Sequence, residues 1–162
     1  MKVCVTGATG FIGSQVAAKL LEAGHEVRVT IRERGRLRAL AGLEVEPVQA
    51  NVLDRRALRR AFAGCEAVLH TAGLVASRPE SEVWRVNAIA PRLVVEAAAR
   101  AGVGRVVVTS SVGALGPATG GRAANEQNAW PEEGTGLIYT DAKHEGELAA
   151  FEAGGWGWRS WQ

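Results

Sequence analysis

Short apolar runs alternate with longer amphipathic stretches along the whole chain. Residues 2–6 (KVCVT) form an apolar run that ends at glycine, which predicts a strand. Residues 13–23 are rich in helix formers, place Val16, Leu20 and Ala23 on one face and stop at Gly24, which predicts a helix. The β-branched run 27–31 predicts a second strand, and residues 37–41 a short helix. A third strand is expected over 45–49, a helix over 55–63 and a fourth strand over 67–70. A long helix is expected over 84–101, a fifth strand over 105–109 and a last helix over 138–152. Strands that alternate with helices of this length imply βαβ units and a parallel sheet. The expected architecture is α/β, a Rossmann-like doubly wound parallel sheet of about five strands in the order 3-2-1-4-5, with its switch point beside strand 1. Residues 112–137 form the one long loop, rich in Gly, Ala, Asn and Pro, and a loop of that length in a compact lobe is usually functional.

Composition narrows the partners. With 162 residues, 47% of them hydrophobic and 22% charged, the chain fits one globular domain or lobe. A formal net charge of only +2 argues against nucleic acid. No apolar run approaches the roughly 18 residues of a membrane span, no signal peptide is visible, and the cytoplasm is the expected location. Cys4 and Cys65 both lie in or beside apolar runs and read as reduced core thiols rather than a disulfide or a metal pair; no metal site is expected. His70, at the end of a strand, reads as a packed residue.

The first strand runs into Thr6-Gly7-Ala8-Thr9-Gly10-Phe11-Ile12-Gly13. Gly7 suits a tight turn, Gly10 lets backbone approach a pyrophosphate without a Cβ in the way, and Gly13 lets the helix pack close to the sheet. Free N–H groups at the helix start would face the anion. With its Gly-x-x-Gly-x-x-Gly spacing followed by Phe-Ile, this segment resembles the fingerprint of the extended short-chain dehydrogenases/reductases, the epimerase/dehydratase and dihydroflavonol-reductase relatives.

That resemblance implies a cofactor and a set of residues. Thr6, Gly7, Thr9, Gly10, Phe11, Ile12 and Gly13 would hold the dinucleotide. At the end of strand 2 an acidic residue would accept from ribose hydroxyls, whereas an arginine would pair with a 2′-phosphate. The chain has Thr30-Ile31-Arg32 there, with Arg34 and Arg36 close behind and no Asp, so NADP(H) is expected in preference to NAD, with Arg32 as the clamp. Asn51 and Val52 follow strand 3, where relatives commonly carry Asp before the hydrophobic residue. His70-Thr71-Ala72-Gly73 resembles the small-residue turn along the cofactor, with Ala72 and Gly73 as contacts. Asn87 and Thr109 also belong to the expected binding set, and Asn87, which matches the family's Val-Asn position, is further expected to tie the long helix to the active-site strands.

Tyr139-Thr140-Asp141-Ala142-Lys143 puts a phenol and an amine four residues apart, on one face of a helix. A nearby ammonium favours the phenolate and draws a group of pKa near 10 toward its working range. Thr109-Ser110-Ser111 ends the fifth strand and, with Gly116, resembles the family's TSS-x-x-x-x-G segment. The resemblance implies Ser111, Tyr139 and Lys143 as catalytic residues, with Ser110 the alternative hydroxyl, and Tyr139 and Lys143 also touching the cofactor. The reaction implied is hydride transfer to or from a carbonyl or hydroxyl substrate. Two alternatives stay open: a non-catalytic NADP(H)-binding module, and the N-terminal part of a nucleotide-sugar epimerase or dehydratase.

The resemblance covers residues 1–153 as one NAD(P)-binding domain and stops before a sixth strand and a substrate-gripping lobe. Residues 154–162 form a tail unlike the family, with three of the chain's five tryptophans. Tryptophan has the single codon TGG, and shifting the frame near Gly155 turns this tail into an apolar run that resembles the missing strand, so a frameshift is the expected origin. Truncation would leave strand 5 as an edge, and self-association into a homo-oligomer is expected.

Overall fold

The computed structural model of the chain describes residues 1–32, 38–118 and 120–155. Arg34, Arg36 and the tryptophan-rich segment 156–162 lie outside the described residues. The chain divides into two compact units, one of residues 1–73 and 93–109, the other of residues 74–92 and, as far as described, 110–155.

The first unit is a parallel sheet with helices on its faces. Its strands are β1 (Lys2–Thr6), β2 (Glu26–Ile31), β3 (Glu46–Gln49), β4 (Ala67–His70) and β5 (Arg105–Val108), and they pair in the order β3-β2-β1-β4-β5. Every pairing is parallel, with Val5 opposite Val29 on one side and Leu69 on the other. The residues of β1 alternate between two cores, as a strand period of two requires. Cys4 faces a cluster built with Leu58 and Phe62 of α2 (Arg55–Phe62) and with Val94, Ala97 and Ala98 of α4 (Ala90–Arg100). Val5 faces Ala17 of α1 (Phe11–Glu22) together with Val27, Val29 and Ile31. Cys4 and Cys65 are both buried free thiols. Strand order reverses at β1, which opens a crevice at the carboxyl ends of β1 and β4.

Helix α1 begins at Phe11 rather than Gly13, because Gly10 already takes the N-cap position. The expected short helix over 37–41 is one 3₁₀ turn, Arg38–Leu40.

The second unit contains α3 (Glu80–Trp84), a π-helical turn (Arg85–Ile89), a 3₁₀ turn (Val112–Leu115) and α5 (Ile138–Ala153). The helical run that sequence periodicity places at 84–101 therefore starts four residues earlier, where Glu80 and Glu82 in the first turn favour a helix N-terminus. The pattern also hides an interruption. Pro91 has no N–H to return to the carbonyl four residues back, that of Asn87, and the backbone widens to a π turn just before it. Gly146 of α5 packs onto that same carbonyl: a Cβ added at Gly146 would fall on Asn87 O, with Pro91 Cγ also close at 3.1 Å. No described helix is long and apolar enough to cross a membrane.

Candidate active site: a dinucleotide cradle and a Ser-Tyr-Lys face

In the first unit the turn after β1 is built around absent side chains. Gly7 has φ +75°, a conformation L side chains rarely adopt, and a Cβ there would lie 2.5 Å from Ala72 N. A Cβ on Gly13 would strike Gly7 O and come within 2.6 Å of Thr71 Oγ1. Two of the three glycines are thus required by the fold itself, since they bring the β1–α1 turn onto the backbone that leaves β4. Gly10 differs: a Cβ there would meet only Gly7 O, at 3.3 Å. Its exposed face is open space in front of the helix.

Hydrogen bonds tie the ends of β1 and β4 together beneath this turn. Thr71 donates to Thr6 O from both its amide (3.1 Å) and its hydroxyl (2.7 Å). The Thr6 hydroxyl lies 2.6 Å from His70 Nδ1. Thr6 and His70 are buried, so they form the floor of the cradle, and His70 is the packed strand-end residue its position implies. Thr9 is half-buried, and Phe11 and Ile12 are exposed, Phe11 at 87%. Helix α1 has no side-chain cap and no acidic residue in its first turn. First-turn amides have no intrahelical acceptor, so the positive end of α1 opens at Gly10. This arrangement fits a pyrophosphate: backbone can approach closely, amides point outward and no carboxylate competes.

The remaining cradle candidates lie along the strand ends. Arg32 is exposed directly after β2, where Gln49 Nε2 donates to its carbonyl at 3.3 Å. Asn51 is exposed and its Oδ1 accepts from Leu53 N at 3.0 Å, whereas Val52 is buried. Ala72 is half-buried and Gly73 exposed. Thr109 is exposed, and its amide donates to His70 O at 3.0 Å.

The second unit carries the catalytic candidates. Ser111 caps the 3₁₀ turn, its Oγ accepting from Gly113 N at 3.2 Å, which leaves its proton to donate elsewhere. Ser110 Oγ is buried with no hydrogen-bond partner among the described residues. Gly113 lies against the first turn of α5: a Cβ there would sit 3.4 Å from Thr140 Cγ2 and 3.5 Å from Ser111 Oγ. The serine turn and the tyrosine turn are therefore neighbours. Tyr139 is half-buried, and Lys143, one turn on, is 8% exposed. Burial pushes the Lys143 ammonium below the usual lysine range, and Glu147, a further turn along α5, opposes that shift.

Asn87, expected both in the binding set and as a tie from its helix, uses its side-chain amide on Leu74, accepting from Leu74 N at 3.1 Å and donating to Leu74 O at 2.9 Å. It clamps the segment that follows β4. Other supports of this face went unread in the sequence. His144 is buried beside Lys143; its Nδ1 lies 3.0 Å from Ala114 O, and its ring stacks on Trp130 with centroids 3.7 Å apart. Asp141 accepts from both the amide (2.8 Å) and the hydroxyl (2.7 Å) of Thr135. These contacts anchor the long loop at both turns that frame Ser111 and Tyr139. The only local hint was the glycine inside the α5 pattern, Gly146, which marks a close backbone approach. Among the described residues no cluster of side chains could hold a metal ion.

The sequence matches the NAD dependent epimerase/dehydratase family over residues 3–154. The chain belongs to that family. Its fold and motifs place it with the extended short-chain dehydrogenases/reductases, which are NAD(P)-dependent. Similar proteins include sterol demethylase protein B of Methylococcus capsulatus, 39% identical over 151 residues, covering 91% of this chain and 46% of that protein. Cinnamoyl-CoA reductase 1 of Petunia hybrida is 39% identical over 163 residues, covering 93% and 49%. Among solved structures, MoeE5 in complex with UDP-glucose and NAD superposes with a TM-score of 0.77 at 29% identity, covering 94% of this chain and 49% of that one. The chain thus spans about half the length of the relatives it matches.

Proposed function

We propose that this chain is the NADP(H)-binding, proton-transferring half of a reductase or dehydrogenase acting on a carbonyl or hydroxyl substrate. The supporting observation is the turn at Gly7, Gly10 and Gly13. Two of its glycines are consumed by backbone contact, and the third leaves a helix N-terminus open to an anion. Phe11, Ile12 and Gly13 amides would hold the pyrophosphate, and Arg32 the extra phosphate that separates NADP from NAD. When bound, the nicotinamide supplies the hydride. The protein supplies the proton and the polarisation. Tyr139 exchanges a proton with the substrate oxygen, Lys143 stands one helical turn from it on the same face, and Ser111 donates a hydrogen bond to that oxygen. Ser110, whose buried hydroxyl has no partner among the described residues, is the alternative donor for that role.

Calorimetry with NADPH and NADH tests the cofactor. NADPH is expected to bind at least about tenfold more tightly, and Arg32→Asp to erase that margin, as loss of a charge-assisted phosphate contact requires. Equal binding of both by the wild type removes Arg32 from the reading. A panel of aldehydes and ketones then tests turnover. Tyr139→Phe should lower kcat by about 10²–10⁴-fold without changing NADPH affinity more than a few-fold. Tight binding with no turnover on any substrate selects a dinucleotide-binding module instead.

A further inference from the structure

We propose that the concave surface between α2 and the C-terminal half of α4 is a second anion site, which takes a short oligophosphate chain, free or carried on a nucleoside. The concavity measures about 330 Å³ and is lined by Arg55, Arg56, Arg59 and Arg60 of α2 with Ala97 and Arg100 of α4. It shares no residue with the Gly7–Gly13 turn and does not depend on the dinucleotide reading. One carboxylate reaches these guanidinium groups as an ion pair among the described residues: Glu96, 3.1 Å from Arg55. The site is therefore strongly cationic in a chain whose net charge is only +2.

The folding of α2 does not call for this charge. Its buried face, Ala57, Leu58, Ala61 and Phe62, and the Asp54 side chain that caps it through Arg56 N and Ala57 N, account for the helix. The arginines act against it. Arg55 with Arg59, and Arg56 with Arg60, are like charges at i,i+4, a spacing that destabilises a helix. Arg55 and Arg56 also stand in the first turn, where the helix dipole disfavours cations; the first turn itself holds no acidic residue, and Asp54 at the N-cap is the one carboxylate beside it, against four arginines. Charges placed where they oppose their own helix, and gathered around a concavity, match what a multiply charged anion would neutralise. Guanidinium forks suit phosphate oxygens in pairs. The volume suits a small ligand rather than a polymer.

The test is calorimetry with inorganic tripolyphosphate at low ionic strength on the wild type, Arg59→Glu/Arg60→Glu and Gly10→Val. One tripolyphosphate should bind per chain, weaken steeply with salt, weaken at least about tenfold on charge reversal and bind Gly10→Val unchanged. ATP that binds as tightly as tripolyphosphate indicates a free phosphate chain; ATP that binds more tightly indicates a nucleoside carrier. Unchanged affinity in the charge-reversed variant overturns the proposal, and so does loss of binding in Gly10→Val, which assigns the ion to the cradle. Displacement by an equimolar amount of short duplex DNA also overturns it, in favour of a polymer. Should the glutamate pair fail to fold, Arg59→Gln/Arg60→Gln serves for the same binding measurement. That variant should melt at a higher temperature than the wild type at low salt, and a lower one would mean that the arginines hold the fold.

Discussion

At Gly10 the backbone is ordinary, φ −90° and ψ 174°, and a side chain would meet only one atom, Gly7 O. At Gly7 and Gly13 a side chain would meet backbone that cannot withdraw. The three glycines of one motif therefore answer to different constraints, and substitution separates them. Gly10→Val should fold with a melting temperature close to that of the wild type and lose at least about tenfold in NADPH affinity, because its methyls fill the space a pyrophosphate needs. Gly7→Ala should lose stability, read by urea unfolding, since it adds a positive-φ penalty to a clash. Lys143 shows the same division between folding and chemistry. Its ammonium is buried, and burial holds its pKa below the usual lysine value. At neutral pH the unfolded chain binds that proton more tightly than the folded one, so the charge costs stability. The cost falls away as pH climbs from the folded pKa toward about 10.5. Lys143→Met is expected to unfold at higher urea than the wild type at pH 7, to lose that pH-dependent rise, and to lower turnover by about 10²–10⁴-fold. A variant less stable than the wild type at pH 7 would contradict the burial argument.

At the scale of elements, the helix that sequence periodicity draws as one piece is three: α3, a π turn and α4. Its hydrophobic spacing persists through the interruption, which is why the pattern conceals it. Pro91 and Gly146 carry the cause. Pro91 withholds a donor from Asn87 O, and Gly146 brings α5 onto that carbonyl, close enough to leave no room for a methyl. The Asn87 side chain meanwhile clamps Leu74. Gly146→Ala, which would stabilise an isolated helix by up to about 1 kcal/mol, should here destabilise by about 1–3 kcal/mol. It should also lower turnover, because α5 carries Tyr139 and Lys143; unaltered thermal unfolding would show that the two backbones separate easily. Asn87 and Gly146 were legible only in part. One was read as a residue of the binding set and as a tie from its helix, with its partner Leu74 unforeseen, and the other lay within an expected helix without remark, because each acts through a neighbour distant in the sequence.

For the molecule as a whole, the parallel sheet ends at β5, whose alternate residues are exposed, Val107 at 51%. An exposed strand at a sheet edge with apolar side chains invites pairing with a like strand. The 162-residue chain should self-associate with rising concentration in analytical ultracentrifugation, and Val107→Lys should shift it toward monomer. A wild type that sediments as a monomer throughout would remove β5 from that role. Much of the rest was readable in advance. Strands and helices follow from periods of two and 3.6 residues, which are local properties of the backbone, and the order 3-2-1-4-5 follows from the connection rules of doubly wound parallel sheets; the glycine turn and the four-residue spacing of Tyr139 and Lys143 stand in the sequence itself. Tertiary structure alone decided that Gly7 and Gly13 press on neighbouring backbone while Gly10 stays open. It also decided that Lys143 is buried, that His144 stacks on Trp130 to hold the long loop, and that five arginines from two helices surround one cavity. Each of these depends on the distance between residues far apart in the chain, and no periodicity encodes such a distance.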